Sequence, residues 1–257
     1  MKHCMLCAVV VLVACSGGEE KAPSTNTTGG PGAAGSGSAN APLGSGTVTG
    51  RVSFTGTVPA NPAIDMSEEP ECKKKHSGAP TDPQYVVKDG KLGNVFVYVK
   101  SGLPAGASYA APDDAVKLDQ DGCLYHPRTF GVMVGQKLEI DNSDPVLHNI
   151  KAVPHANRPF NVSQPTAGMK TTRTFTTTEV MVPLQCNVHS WMHANVAVLP
   201  HPFFATSADD GSFTIKGLPQ GTYEIEAWHE KLGTKTMQVT VGDNETKTVD
   251  FTFSPKA

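Results

Sequence analysis

Four residues in the second half of the chain have the types and spacing of a metal site. Cys186, His189 and Met192 follow one another as Cys-x2-His-x2-Met, and His148 lies well upstream in Asn142-Ser143-Asp144-Pro145-Val146-Leu147-His148-Asn149-Ile150. A soft thiolate and two imidazoles in a trigonal plane, with a weak thioether on the axis, make the ligand set of type-1 copper. Thiolate and imidazole also suit zinc; the thioether favours copper. His193, directly after Met192, is a competing ligand.

Those side chains need elements that aim them at one point. Val180, Val182 and Leu184 alternate with other residues, and Cys186 shares their parity. A strand there ends with its thiol pointing inward. The short gaps after it imply a tight loop that turns back with His189 and Met192, while His148 comes from a neighbouring strand. The period of two recurs in Val48, Val52 and Phe54, in Val95, Val97 and Val99, and again from Phe213 to Phe253. Asp89-Gly90, Asp121-Gly122, Gly135-Gln136, Asp210-Gly211 and Gly242-Asp243-Asn244 are turn signals between them. No long amphipathic helix is visible. With 25 Gly, 20 Pro and only 18% charged residues in 257, the expected class is all-β. A net charge of −3 gives no basic footprint for nucleic acid.

Two resemblances sort the strands. Val134 to Asn142, leading into His148-Asn149-Ile150, and the Cys-x2-His-x2-Met loop resemble amicyanin and plastocyanin, which are cupredoxins; the loop spacing is that of amicyanin. The resemblance implies a Greek-key cupredoxin barrel over about 104–202, with His148, Cys186 and His189 in the copper plane and Met192 axial. It implies that Asn149 ties the His148 loop to the Cys186 loop by hydrogen bonds, and that electrons pass through an edge-exposed His189 beside Trp191. Two departures are Pro145, three residues before the first His, and Asn187 where a hydroxyl residue is usual. The stretch Thr206 to Tyr223, with Asp210-Gly211 and Leu218-Pro219-Gln220-Gly221 as turns, resembles the second half of a carboxypeptidase-regulatory-like (transthyretin-like) β-sandwich, whose opening strand resembles Gly46 to Val52. One sandwich of residues 46–103 plus 203–255, interrupted by the cupredoxin domain, is therefore expected; two tandem sandwiches are the alternative.

The start of the chain carries an address. Lys2 and the apolar run Ala8 to Ala14 form a signal peptide, and Leu12-Val13-Ala14-Cys15 resembles a bacterial lipobox. Residues 1–14 are then removed, Cys15 is lipidated, and 15–45, rich in Gly, Ser, Ala and Thr, is a flexible linker. Ser16 points to the outer membrane by the usual Gram-negative sorting rule. Six cysteines are present. Cys4 and Cys7 leave with the signal, Cys15 carries lipid and Cys186 is claimed by the metal, which leaves Cys72 and Cys123 to pair as a disulfide in an oxidising compartment.

Other candidates read more plainly. Cys72 and His76 could hold a metal, but the disulfide uses the same Cys and His76 reads as solvated. Tyr125-His126 reads as a strand edge rather than part of the metal loops. His155, His201 and His229 are expected on the surface, Trp228 in a core or interface, and Lys73 to Lys75 on a solvated face. The expected role is one-electron transfer to a redox partner protein. A periplasmic copper carrier, or a structural β-sandwich lipoprotein with a non-functional copper site, are the rivals. An enzyme is not expected: there is no His-x-His pair of the multicopper oxidases and no P-loop or dinucleotide fingerprint.

Overall fold

The structure is a computed structural model, described here for residues 40–255. The expected signal peptide, Cys15 and most of the linker lie outside the described residues. Among the described residues no helix is long and apolar enough to cross a membrane.

The chain runs through β1 (Gly46–Phe54), the five-residue helix α1 (Pro70–Lys74), β2 (Val87–Lys88), β3 (Lys91–Leu92) and β4 (Phe96–Ser101). The middle contributes β5 (Val116–Asp121), β6 (Leu124–His126), β7 (Thr129–Met133), β8 (Lys137–Asn142), β9 (His148–Ala152), β10 (Phe160–Gln164), β11 (Lys170–Thr174), β12 (Glu179–Gln185) and β13 (His193–Leu199). The last stretch holds β14 (Phe204–Thr206), β15 (Ser212–Leu218), β16 (Gly221–His229), β17 (Gly233–Val241), β18 (Thr246–Thr248) and β19 (Phe251–Phe253).

Strand pairing separates the first and last groups from the middle one. β1 pairs with β15, β3, β18 and β19, and β4 lies between β14 and β16, so the two ends of the chain build one sandwich. The middle strands pair among themselves as β10-β9-β12-β13-β7 and β11-β8-β5-β6. Parallel pairs β13–β7 and β5–β8 interrupt the antiparallel ladders. Such pairs need crossovers between the sheets, and those crossovers close the middle strands around one core.

Alternation supplies each core. Val48, Val52, Phe54, Phe213, Ile215, Tyr223, Ile225, Phe251 and Phe253 fill the sandwich; Leu118, Phe130, Val132, Leu138, Ile140, Ile150, Val182, Leu184, Val196 and Val198 fill the barrel. The boundary is not clean in sequence. Ile64, Met66 and Cys72, in the segment between β1 and β2, pack into the barrel core, while Leu103 and Tyr109 lie against the sandwich. A third cluster, Phe96, Tyr98, Ala197 and Leu199 with Phe204 and Trp228 beside it, forms the seam between the two. Gly131 permits that seam: a Cβ there would lie 2.6 Å from the Phe204 ring and 2.9 Å from the Phe96 ring. Across it, buried Arg128 makes ion pairs with Asp82 at 2.5 Å and Glu230 at 2.8 Å.

Three expectations need correction here. Val180 is exposed, because Met181 takes φ 64° and the β12–β13 register shifts between Glu179 and Val182; the parity that buries Val182, Leu184 and Cys186 begins only after this irregularity. His201 and His229 are buried, not on the surface. Each Nδ1 accepts a backbone N–H two residues on, from Phe203 and Lys231, and each ring lies beside aromatic rings, Phe203 for His201 and Tyr85 and Phe253 for His229. His155 is exposed as expected.

Candidate metal centre

One end of the barrel gathers the expected ligands. Cys186 leaves β12 immediately after Gln185, and its backbone N–H donates to the Met192 carbonyl at 3.1 Å. Met192 N–H donates in turn to the His189 carbonyl, which closes the short loop on itself. The His189 N–H donates to Cys186 Sγ at 3.4 Å. His148 opens β9, whose other end pairs with β12. The result is convergence: the Nδ1 atoms of His148 and His189 are 3.0 Å apart, and His189 Nδ1 is 4.0 Å from Cys186 Sγ. The donor atoms of His148, Cys186 and His189 all lie within 4.8 Å of one another, and all three residues are buried. Met192 is also buried, in the barrel core beside them.

Electrostatics favours a thiolate. Burial alone raises the Cys186 pKa, but the His148 and His189 side chains and the neighbouring donors outweigh it and hold the thiol at about 5. Burial also disfavours charge on His148, yet the Asp144 carboxylate and the Cys186 sulfur hold its pKa above the usual imidazole value. Asp144 is 1% exposed and holds this side of the centre together. Its Oδ2 accepts His148 Nε2–H at 2.9 Å and Cys123 N–H at 2.8 Å, and its Oδ1 accepts Gly122 N–H at 2.9 Å. Burial pushes its pKa up, but these donors prevail and keep it below the ordinary carboxylate range. Donation from Nε2 leaves the His148 Nδ1 lone pair free to face the other ligands.

Asn149 stands between the two loops. Its Oδ1 accepts Asn187 N–H at 2.6 Å and lies 3.4 Å from Cys186 Sγ, while its Nδ2 donates to Asn161 at 2.6 Å. Its carbonyl accepts the hydroxyl of buried Tyr125 at 2.5 Å. His193 turns away from the centre: its Nε2 lies beside Arg128 and 3.5 Å from Asp82 Oδ2. His126 is exposed at the barrel edge, and His76 is half-buried with Nε2 2.7 Å from the Gly122 carbonyl oxygen. Lys73, Lys74 and Lys75 are exposed.

The expectation that His189 shows an edge to solvent is overturned, since it is 1% exposed. Cys72 and Cys123 are joined by a disulfide, and Cys72 Sγ lies 3.9 Å from His189 Nε2. Glu69 Oε1 is 3.5 Å from the same nitrogen, and the Trp191 ring packs at 5.2 Å while its Nε1–H donates to the Cys123 carbonyl. Helix α1 and its disulfide therefore cap the ring edge that sequence reasoning left open. The cap and Asp144 were both missed. An acid four residues before the first His was the available signal for Asp144; for the cap, the expected Cys72–Cys123 disulfide already tied the Cys72 segment to the barrel, but nothing local placed it over His189.

Residues 191–254 match the carboxypeptidase regulatory-like domain family. The match begins inside the loop, at Trp191, and takes in Met192 and all of β13 of the barrel. No curated protein matches the chain. Among solved structures it is similar to a copper-containing nitrite reductase from Thermus scotoductus SA-01, at 20% identity and TM-score 0.32, over 38% of this chain and only a quarter (25%) of that one. A purple cupredoxin from Nitrosopumilus maritimus aligns at 22% identity and TM-score 0.29, over 33% of this chain and 99% of that one. A mutant of amicyanin in its Cu(I) form aligns at 20% identity and TM-score 0.30, over 41% of this chain and 98% of that one. The chain is an all-β protein in which a carboxypeptidase-regulatory-like match overlaps the β-sandwich and the middle strands enclose a core of their own.

Proposed function

We propose that this protein holds one type-1 copper ion through His148, Cys186, His189 and Met192 and serves one-electron transfer. The observation that carries the reading is the meeting of two imidazole Nδ1 atoms, 3.0 Å apart, beside a buried cysteine whose pKa is held at about 5. A thiolate, two imidazoles and a thioether suit copper, and its contribution there would be cycling between Cu(I) and Cu(II). The chain's own part is to present these donors without rearrangement. Asp144 fixes the His148 tautomer, Asn149 joins the two ligand loops, and the backbone N–H of His189 donates to the Cys186 sulfur. With every ligand position supplied by side chains, no open position remains for a substrate, so the role is carriage and not turnover.

The buried edge of His189 favours electron transfer over copper delivery, because a carrier must give up its ion to an acceptor that can reach it. Electrons leaving by His189 cross the cap, where Trp191 is the nearest ring that is still partly exposed. Lipidation at Cys15 would tether the protein to the outer membrane, near a redox partner protein in the cell envelope. The copper-loaded protein should show an intense blue band and narrow copper hyperfine splitting in its EPR spectrum. A colourless copper complex sinks the reading. His189→Gly should slow electron transfer to the partner by an order of magnitude or more; an unchanged rate would move the route elsewhere.

A further inference from the structure

Resting on the copper reading above, we infer that Asp144 is a positioning residue whose carboxylate sets the reduction potential of the centre and whose influence is moderated by Lys75. A backbone carbonyl on His148 Nε2 would also fix the tautomer. What stands there instead is a fully buried carboxylate, 2.9 Å from the ring nitrogen. Its two oxygens accept N–H groups from Gly122 and Cys123, so it is held ionised and in place by donors that do not depend on the metal. A carboxylate on the far nitrogen of a metal-ligating imidazole raises the basicity of the ligand nitrogen. It also places a negative charge close to the ion in a medium of low dielectric constant. Both effects favour the more positive metal state, Cu(II), over Cu(I), and so lower the potential.

A second charge works in the opposite sense. Lys75 Nζ lies 3.5 Å from Asp144 Oδ1 and 2.6 Å from Asp121 Oδ1. Lys75 directly follows α1, so the capping segment that buries His189 also delivers a cation to the carboxylate behind His148. The two residues form a pair with opposing effects on the same ion, one buried and one 39% exposed in its side chain.

The test uses the full copper-loaded chain and reads the potential by redox titration of its visible band, with Cu(II) affinity measured by chelator competition. Asp144→Asn should weaken Cu(II) binding by roughly 10- to 100-fold, the usual cost of losing such a partner. It should weaken Cu(I) less. Each tenfold difference between the two losses raises the potential by about 59 mV for one electron. Lys75→Met, at an exposed position, should move the potential downward, because it leaves both Asp144 and Asp121 without their cation. Opposite shifts are the expected result, and a residue that merely braces the loop would not produce them. Should Asp144→Asn fail to fold, the downward shift in Lys75→Met remains the test. Potentials that stay put in the folded variants, or that move in the same direction, overturn the inference while leaving a blue wild-type centre intact. A wild type that binds no copper brings down the function itself.

Discussion

The barrel and the sandwich are built from the same kind of strand, yet they treat polar groups in opposite ways. The sandwich buries mainly aliphatic and aromatic side chains; its few buried polar groups are scattered, with His201 and His229 each accepting one backbone N–H and Glu226 bonded to Tyr98 and Lys100. The barrel is just as apolar along most of its length, but its open end buries a carboxylate, two histidines, an asparagine and a free thiol that satisfy one another. A buried polar network is costly unless every member has a partner. That cost makes sense at an end proposed to present donors to an ion. The difference teaches which region carries the chemistry before any ligand is considered.

The largest expected effect comes from cutting the link between the regions' segments. The Cys72–Cys123 disulfide spans a sequence separation of 51, for which loop-closure entropy predicts about 4 kcal/mol of stabilisation. Cys72→Ser with Cys123→Ser should cost the barrel about that much. The chain has two tryptophans, Trp191 in the barrel and Trp228 on β16, so single-tryptophan versions report the regions separately in chemical denaturation. Equal shifts of both transitions would show that the regions unfold as one unit and would blunt the comparison.

Acid should act the other way round. Burial depresses the pKa of both His201 and His229 to about 4, against an ordinary value of 6.5. A depressed folded-state pKa means that the stability is fully present above pH 6.5 and is lost as pH falls towards 4. The upper bound is about 3 kcal/mol for each histidine, from 1.36 kcal/mol per pKa unit. Thermal unfolding of the metal-free protein across that window should show the sandwich weakening, and His201→Gln with His229→Gln should flatten the slope. A slope that survives the double replacement would assign acid sensitivity to the barrel end.

Smaller effects test the seam and the loop tie. Gly131→Val should cost about 2 kcal/mol by forcing a side chain against Phe204 and Phe96. Its signature would be altered packing of both regions in amide hydrogen exchange, with the copper spectrum unchanged. Asn149→Ala leaves the Asn187 N–H without its acceptor and should cost about 1 kcal/mol. Here the spectrum should change more than the melting temperature, which is the pattern expected of a residue serving the site.

Much of the fold was legible because period two and Gly-centred turns are local signals. Val95, Val97 and Val99, or Phe213 and Ile215, announce their strands without help from elsewhere in the chain. The proposed donors were legible for another reason: few residue types bind copper, and three of them sit within seven positions of one another from Cys186 to Met192. What was not legible depends on approach from a distance. Val180 was misplaced because a positive φ at Met181 resets the alternation, and nothing in the residue type demands it. His201 and His229 looked like surface residues because a lone histidine shows neither its aromatic neighbours nor the amide it will accept. His189 looked open because the group that covers it comes from a segment far upstream.

That covering group has a further consequence for how the molecule can be taken apart. A piece cut at 104–202 would retain the four donors, Asp144 and Asn149, but neither Cys72 nor Lys75. Its loop imidazole would face water, its Cys123 thiol would have no mate, and the carboxylate behind His148 would lose its cation. The host fold is therefore a co-owner of the centre, and whatever potential or stability is measured on the excised barrel belongs to a different molecule.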